Sequence, residues 1–288
     1  MNGVAIIKPY KINIKLKKLR TIMAKVSGEY TTSLVERRGL IEHTDRILLA
    51  YDKTLNKKEL AKKVCEKGYL AEMNWSTCSE VVMRFFAKRY MNEDFIYTPA
   101  EFFISGESEG ASHKIIDKNL MYFVFTALVE LPLFDFVSKY FYISSQHIDV
   151  IDKYDVDYFL KHEMANRQLD FTDKKIARMS SGIMMTLKEF GLLTPIEKSS
   201  HKPMRINRPY LSDQLMLQLI YFFKKNAFSD YHVVHNRVWY LFGLNGLDII
   251  KRLNKRPDAY IVQSAGSVVQ LSRPIQDDNE FLNMLSVN

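Results

Sequence analysis

Apolar residues recur at steps of three and four through much of this chain, most cleanly between residues 176 and 190. Ile176, Met179, Ile183, Leu187 and Phe190 fall on one helical face, and Lys174, Arg178, Ser181, Met185 and Lys188 on another. That period predicts an amphipathic helix with one face in a core. Gly191 follows the last periodic residue, where a left-handed cap favours a residue without Cβ. Pro195 lies beyond it, and Lys198, Lys202, Arg205 and Arg208 mark a short basic hairpin. A helix over 155–168 precedes this segment. Helix, turn, helix, glycine stop and basic strand pair is the order of a winged helix-turn-helix, which puts a helix in the major groove and a wing on the phosphates. Taken alone, such a segment is more often a core helix with a solvated face.

The pattern continues on both sides. A helix is predicted over 31–51, weakened at Gly39. A second spans 57–67, capped by Asn56 and stopped by Gly68, with Leu60 and Val64 inward. A third spans 78–90, capped by Ser76 or Thr77, with Val81, Val82, Phe85 and Phe86 inward. This too reads as helix-turn-helix or as a plain helical bundle. Residues 99–112 read as a linker loop. The aromatic stretch 117–142 reads as core rather than a base-stacking platform, because its surroundings are acidic. Its apolar run at 120–129 is cut by Glu130, Pro132 and Asp135, which favours a buried helix over a membrane span. Helices over 212–225 (capped by Ser212), 231–242 and 247–256 lead to a hairpin around Gly266, a second winged-helix order. The predicted fold is mainly α: a helical bundle of helix-turn-helix or winged-helix-like modules with small β-hairpin wings. It divides into an arm (1–26), a helix-turn-helix-like domain (27–98), an acidic aromatic-rich middle (112–168) and a winged-helix-like region (169–288).

Charge sharpens this picture once it is mapped. The net charge is +8, but residues 1–26 carry seven basic side chains and no acid. The arm is either a basic tail that touches nucleic acid or an upstream translation product, since Met23 precedes a plausible start. Residues 101–170 hold 6 basic and 12 acidic groups, whereas 173–256 hold 15 basic and 6 acidic. A basic half beside an acidic middle points to a polyanionic partner.

Catalytic chemistry is not legible. His162-Glu163 lacks the second histidine of a zinc-protease helix. Asp149, Asp152, Asp155 and Asp157 lack the glycine and glutamate of a calcium loop and read as a solvated helix start. No glycine-rich phosphate loop occurs. Cys65 and Cys78 form no disulfide framework and are too few for a zinc site, which with the absence of a signal peptide suggests a reducing cytoplasm.

Four segments, YTTSLVERRGLIEHTDRILLAYD from Tyr30, NWSTCSEVVMRFFAKRY, MTLKEFGLLTP and HNRVWYLFGLNGLDIIKRL, resemble the BrxA family of bacterial BREX bacteriophage-exclusion systems. The resemblance spans Ser27 to the C-terminus and rests on ordered hydrophobic patterns. It implies a cytoplasmic, mostly helical, non-enzymatic protein that binds double-stranded DNA beside other BREX proteins. It gives no catalytic residue to carry over, and since no motif in the chain binds a metal or cofactor, no metal, cofactor, membrane or small-molecule substrate is expected. The candidate DNA contacts are Lys174, Lys175, Arg178, Lys188, Lys202, Arg205 and Arg208 in one module, and Lys251, Arg252, Lys255 and Arg256 in the other. Lys57, Lys58, Lys62, Arg84 and Lys88 form a weaker N-terminal set in a nearly neutral region. Ser180, Ser181 and Thr186 are candidates for base readout. The alternatives are a protein-interaction adaptor and a sequence-specific transcriptional regulator.

Overall fold

The aromatic stretch marked as core runs through the middle of the molecule. The structure is a computed structural model that describes residues 30, 40–105, 117–143, 149–196, 203–266 and 268–287. Phe125 packs edge-on against Phe103 at 5.8 Å and Phe222 at 4.9 Å, so rings from three distant parts of the chain meet. Each buried ring contributes about 1.5–3 kcal/mol of transfer free energy.

The N-terminal helices are α1 (Ile41–Ala50), α2 (Lys57–Glu66), α3 (Trp75–Glu80) and α4 (Ala87–Tyr90). Helix α1 starts after Leu40, which sits at φ 58°, while 31–39 lie outside the described residues. Asn56 caps α2 as expected, and Glu59 closes the capping box. Asn74, not Ser76 or Thr77, caps α3, accepting Thr77 N–H at 2.9 Å. A π-helical segment, Val81–Phe86, joins α3 to α4. Its Val81, Val82, Phe85 and Phe86 are buried, as the pattern predicts, but the widened turn has no sequence signal. Cys65 and Cys78 pair as a disulfide with a Cα–Cα distance of 6.0 Å, against the expectation from their number.

The first seven residues of the expected loop at 99–112 form helix α5 (Pro99–Ser105) instead. Thr98 and Glu101 exchange hydrogen bonds at its start, a capping box with Pro99 in the first turn. Helix α6 (Lys118–Val129) is buried along residues 120–127. After Glu130 come α7 (Leu131–Asp135), a π-helical segment Phe136–Tyr140 and α8 (Phe141–Ile143). Among the described residues no single helix is long and apolar enough to cross a membrane. The apolar pair Lys118–Val129 and Leu131–Tyr140 bends by 111°.

Strand β1 (Val150–Ile151) opens the next unit, followed by α9 (Lys153–Asn166), α10 (Asp173–Glu189), β2 (Leu193–Pro195) and β3 (Met204–Ile206). The strands form one antiparallel sheet in the order β1-β3-β2. Strand β1 has no counterpart among the elements expected from sequence. Its two residues are a strand only because Val150 pairs with Arg205 and Ile151 with Met204. The expected acidic start of α9 is a capping box between Asp152 and Asp155.

The C-terminal part is α11 (Asp213–Lys225), α12 (Asp230–Val234), a 3-10 helix Arg237–Phe242, α13 (Gly246–Leu253), the hairpin β4 (Ile261–Ala265) and β5 (Val268–Ser272), and α14 (Asp278–Val287). The single helix expected over 231–242 is two. His235 caps the end of the first, and Asn236 caps the start of the second, accepting Val238 N–H at 3.0 Å. The expected helix over 247–256 stops at Leu253, leaving Lys255 and Arg256 beyond it.

Candidate nucleic-acid interface

Helix α10 divides along the two faces read from sequence. Ile176, Met179, Ile183 and Leu187 are buried, and Lys174, Lys175, Arg178 and Lys188 are exposed. Thr172 caps the helix, and Gly191, at φ 74°, ends it. Helix α9 packs against α10, and the β2–β3 hairpin follows directly. Arg205 stands exposed in the central strand of the sheet, between Val150 and Thr194. Lys174, Arg178, Lys188 and Arg205 make no ion pair among the described residues. Lys175 lies 5.2 Å from the centre of the Phe171 ring.

Arg208 has a different role. Its side chain donates to the Phe141 carbonyl at 3.3 Å and to Asp149 at 3.2 Å, tying the sheet to α8. Lys202 lies outside the described residues. Burial removes two of the three base-readout candidates, Ser180 and Thr186, and Ser181 is half-buried. Ser180 is buried and donates to Asp157 and the Ile176 carbonyl. Ser181 donates to the Ala177 carbonyl at 2.8 Å. Thr186 is buried, and its hydroxyl has no hydrogen-bond partner among the described residues.

The second module is less basic than its sequence suggests. Arg252 binds Asp213 and donates to the Leu211 carbonyl at 2.8 Å. Arg256 pairs with Asp258 at 2.7 Å, and that hydrogen bond helps hold the Asp258 carboxyl below its usual range. Lys251 and Lys255 remain exposed. The β4–β5 hairpin carries no Lys or Arg.

The N-terminal set does not form one surface. Lys62 pairs with Glu66 at 3.8 Å and Arg84 with Glu80 at 3.0 Å along their own helices. Lys57, Lys58 and Lys88 instead line a common cleft. Among the described residues no group of three or more His, Cys, Asp or Glu side chains could hold a metal ion.

The BrxA family model matches residues 28–220, from before α1 into α11. The chain belongs to the BrxA family. Membership gives it a BREX-associated role in antiviral defence. No curated protein and no solved structure matches the chain significantly. The BrxA match takes in the whole β1–α9–α10–β2–β3 unit and ends before α12, α13 and the β4–β5 hairpin. Sequence reasoning missed Lys53, Asn92 and Glu93 at the cleft, and the exposed Tyr154 and Tyr158 of α9. The two tyrosines, one helical turn apart on an exposed face, carried a signal; the cleft residues lie in loops and carried none.

Proposed function

We propose that this BrxA-family chain is a non-enzymatic, double-stranded DNA-binding component of its BREX system, acting beside other BREX proteins. The observation that carries the reading is one set of side chains. Lys174, Arg178, Lys188 and Arg205 are exposed, without internal ion pairs among the described residues, on a single strand–helix–helix–hairpin unit. The order of that unit and its β1-β3-β2 sheet fit a winged helix-turn-helix, with α10 entering the major groove and the hairpin as wing. Cations there gain free energy by neutralising phosphates and releasing counterions. Helix α10 contains no Asn or Gln, and its Ser180 and Thr186 are buried, so little supports base readout. Lys251 and Lys255 add a second, smaller contact.

The test is filter binding to blunt, random-sequence duplex at several salt concentrations. Charge reversal of Arg178, Lys188 and Arg205 to Glu should weaken binding to all sequences alike without changing the circular dichroism. Full-strength binding with an unchanged salt slope would overturn the reading.

One observation favours a second reading, a protein-interaction adaptor. Tyr154 and Tyr158 are 81% and 70% exposed, one turn apart on α9. Aromatic side chains are enriched at protein interfaces. Failure of the wild-type protein to bind duplex, together with co-elution with a BREX partner that Tyr158→Ala abolishes, would select it.

A further inference from the structure

Lys57, Lys58 and Lys88 converge with Lys53 on an open cleft of about 920 Å³ between the start of α2 and the π-helical segment leading into α4. Leu55, Met83, Met91 and Phe95 give the cleft an apolar part beside its lysines. Lys88 is held in place by Glu130 at 3.2 Å. Lys53, Lys57 and Lys58 are exposed and have no ion pair among the described residues. Two acids, Glu93 and Glu101, share the lining, and Glu101 is already engaged by Thr98 N–H at 2.7 Å and the Thr98 hydroxyl at 2.9 Å.

We infer that this cleft binds a nucleotide, a base with its phosphate, rather than the backbone of a duplex. A duplex is a convex rod that presents phosphates and sugars, and it leaves the apolar part unused. A nucleotide uses both parts of the lining. Its flat heteroaromatic face covers Met83, Met91 and Phe95, and its phosphate meets the lysines beside them. Asn92 accepts Asp94 N–H at 2.9 Å through its oxygen, which leaves its amide nitrogen to donate to a base edge beside the Glu93 carboxylate. The backbone of α2 contributes little, since Asn56 already takes the Lys58 and Glu59 N–H groups. The phosphate is therefore held by side chains. The cleft is of the size of ordinary small-molecule sites, about 300–1,000 Å³. Its wall at Met83 belongs to a π-helical segment, a distortion common at functional sites.

The same chemistry arises from a free nucleotide or from the unpaired, phosphorylated end of a strand, and one titration separates them. The full chain is titrated into adenosine diphosphate carrying an N-methylanthraniloyl fluorophore, without DNA, and the probe is then displaced by competitors. Saturable binding, displaced by unlabelled adenosine diphosphate better than by terminally phosphorylated oligothymidine, identifies a free nucleotide. The reverse order identifies a strand end. The Lys53→Glu, Lys57→Glu, Lys58→Glu variant should lose roughly tenfold or more in affinity with an unchanged melting temperature. Met91→Asn should weaken the nucleotide but not inorganic pyrophosphate. Absence of saturable binding below about 1 mM, displacement by pyrophosphate as good as by the nucleotide, or indifference to the triple reversal would overturn the inference. Because no duplex is present, these outcomes are independent of the fate of the duplex reading.

Discussion

Tyr30 donates its phenol proton to Asp135 at 2.9 Å across 105 residues of chain. Asp135 is fully buried in α7 and also takes Arg167, the residue after α9, at 2.6 Å. Lys139 and Arg237 approach the same carboxylate at 3.7 and 4.0 Å. Burial, then the Asp135 charge, pushes the Tyr30 phenol up, so it stays a donor. Asp135→Ala removes the buried acceptor of Tyr30 and Arg167, while Lys139 and Arg167 keep Glu163 at 2.5 and 3.8 Å, so the loss should be about 3 kcal/mol, the lower end for a broken buried pair. Tyr30→Phe removes one neutral donor and should cost about 1–2 kcal/mol. Urea melts of the two variants check the order. A Tyr30→Phe loss as large as that of Asp135→Ala would show that the tyrosine, not the carboxylate, is the centre of the cluster.

Gly246 opens α13 directly beneath the His235 ring. A Cβ there would lie 2.6 Å from His235 Cε1 and closer still to Nδ1. Gly246→Ala should therefore destabilise by about 1–3 kcal/mol, as overpacking does. His235 is exposed, so truncating it is cheap. The Gly246→Ala, His235→Ala double variant should recover most of the loss in a double-mutant cycle. Equal losses in the two backgrounds would place the strain in the backbone instead.

Thr186 shows where sequence patterning reaches its limit. It sits beside the exposed face of α10 in a helical wheel, yet it is fully buried, and its hydroxyl has no partner among the described residues. Thr186→Val replaces that hydroxyl with a methyl of the same shape and should be neutral or stabilising by up to about 1–2 kcal/mol. A destabilised variant would mean that the hydroxyl has a partner, such as a buried water.

The parts of this molecule that were legible are local. The Asn56 and Ser212 caps, the stripe from Ile176 to Leu187 and the turn at Gly266 all depend on neighbours within a few residues. Helix α5 carries a local signal too, Thr98-Pro99-Ala100-Glu101, but the glycines that follow it point to a loop. What escaped is set by distant partners. Val150 and Ile151 extend only because Met204 and Arg205 come alongside. Among the candidate contacts, exposure of Lys174, Arg178 and Lys188 followed from period alone. The withdrawal of Arg252 into an ion pair did not, because Asp213 stands 39 residues away.

Asp278 ties α14 to α11 and gives the fold an acid-sensitive joint. Burial opposes its ionisation, but Lys225 and Arg273 outweigh that and hold its carboxyl below the usual range. A carboxylate depressed in the folded state stabilises above the unfolded value of about 3.9 and loses that contribution as pH falls through the lower, folded value. The melting temperature of the wild type should drop more steeply below about pH 4 than that of Asp278→Asn. The variant should be the less stable of the two at neutral pH. Parallel acid limbs would show that the ion pairs carry no net stability.

The two basic modules should differ in how strongly salt governs them. The α10 unit offers Lys174, Arg178, Lys188 and Arg205, whereas in the second module Lys251 of α13 and Lys255 after it make no ion pair among the described residues and the hairpin is uncharged. Each phosphate that is no longer neutralised should lower the slope of log affinity against log salt by about 0.9. Reversing Arg178, Lys188 and Arg205 should thus lower it by up to about 2.7, and reversing Lys251 and Lys255 by no more than about 1.8. Arg252→Ala belongs to a separate class. It breaks the tie to Asp213 and Leu211, so it should lower the melting temperature while changing the salt slope less than either reversal. Salt titrations beside thermal melts separate these three outcomes. A larger slope change from Lys251 and Lys255 than from the α10 triple would move the main DNA contact to the C-terminal module, beyond the residues that the BrxA family model matches.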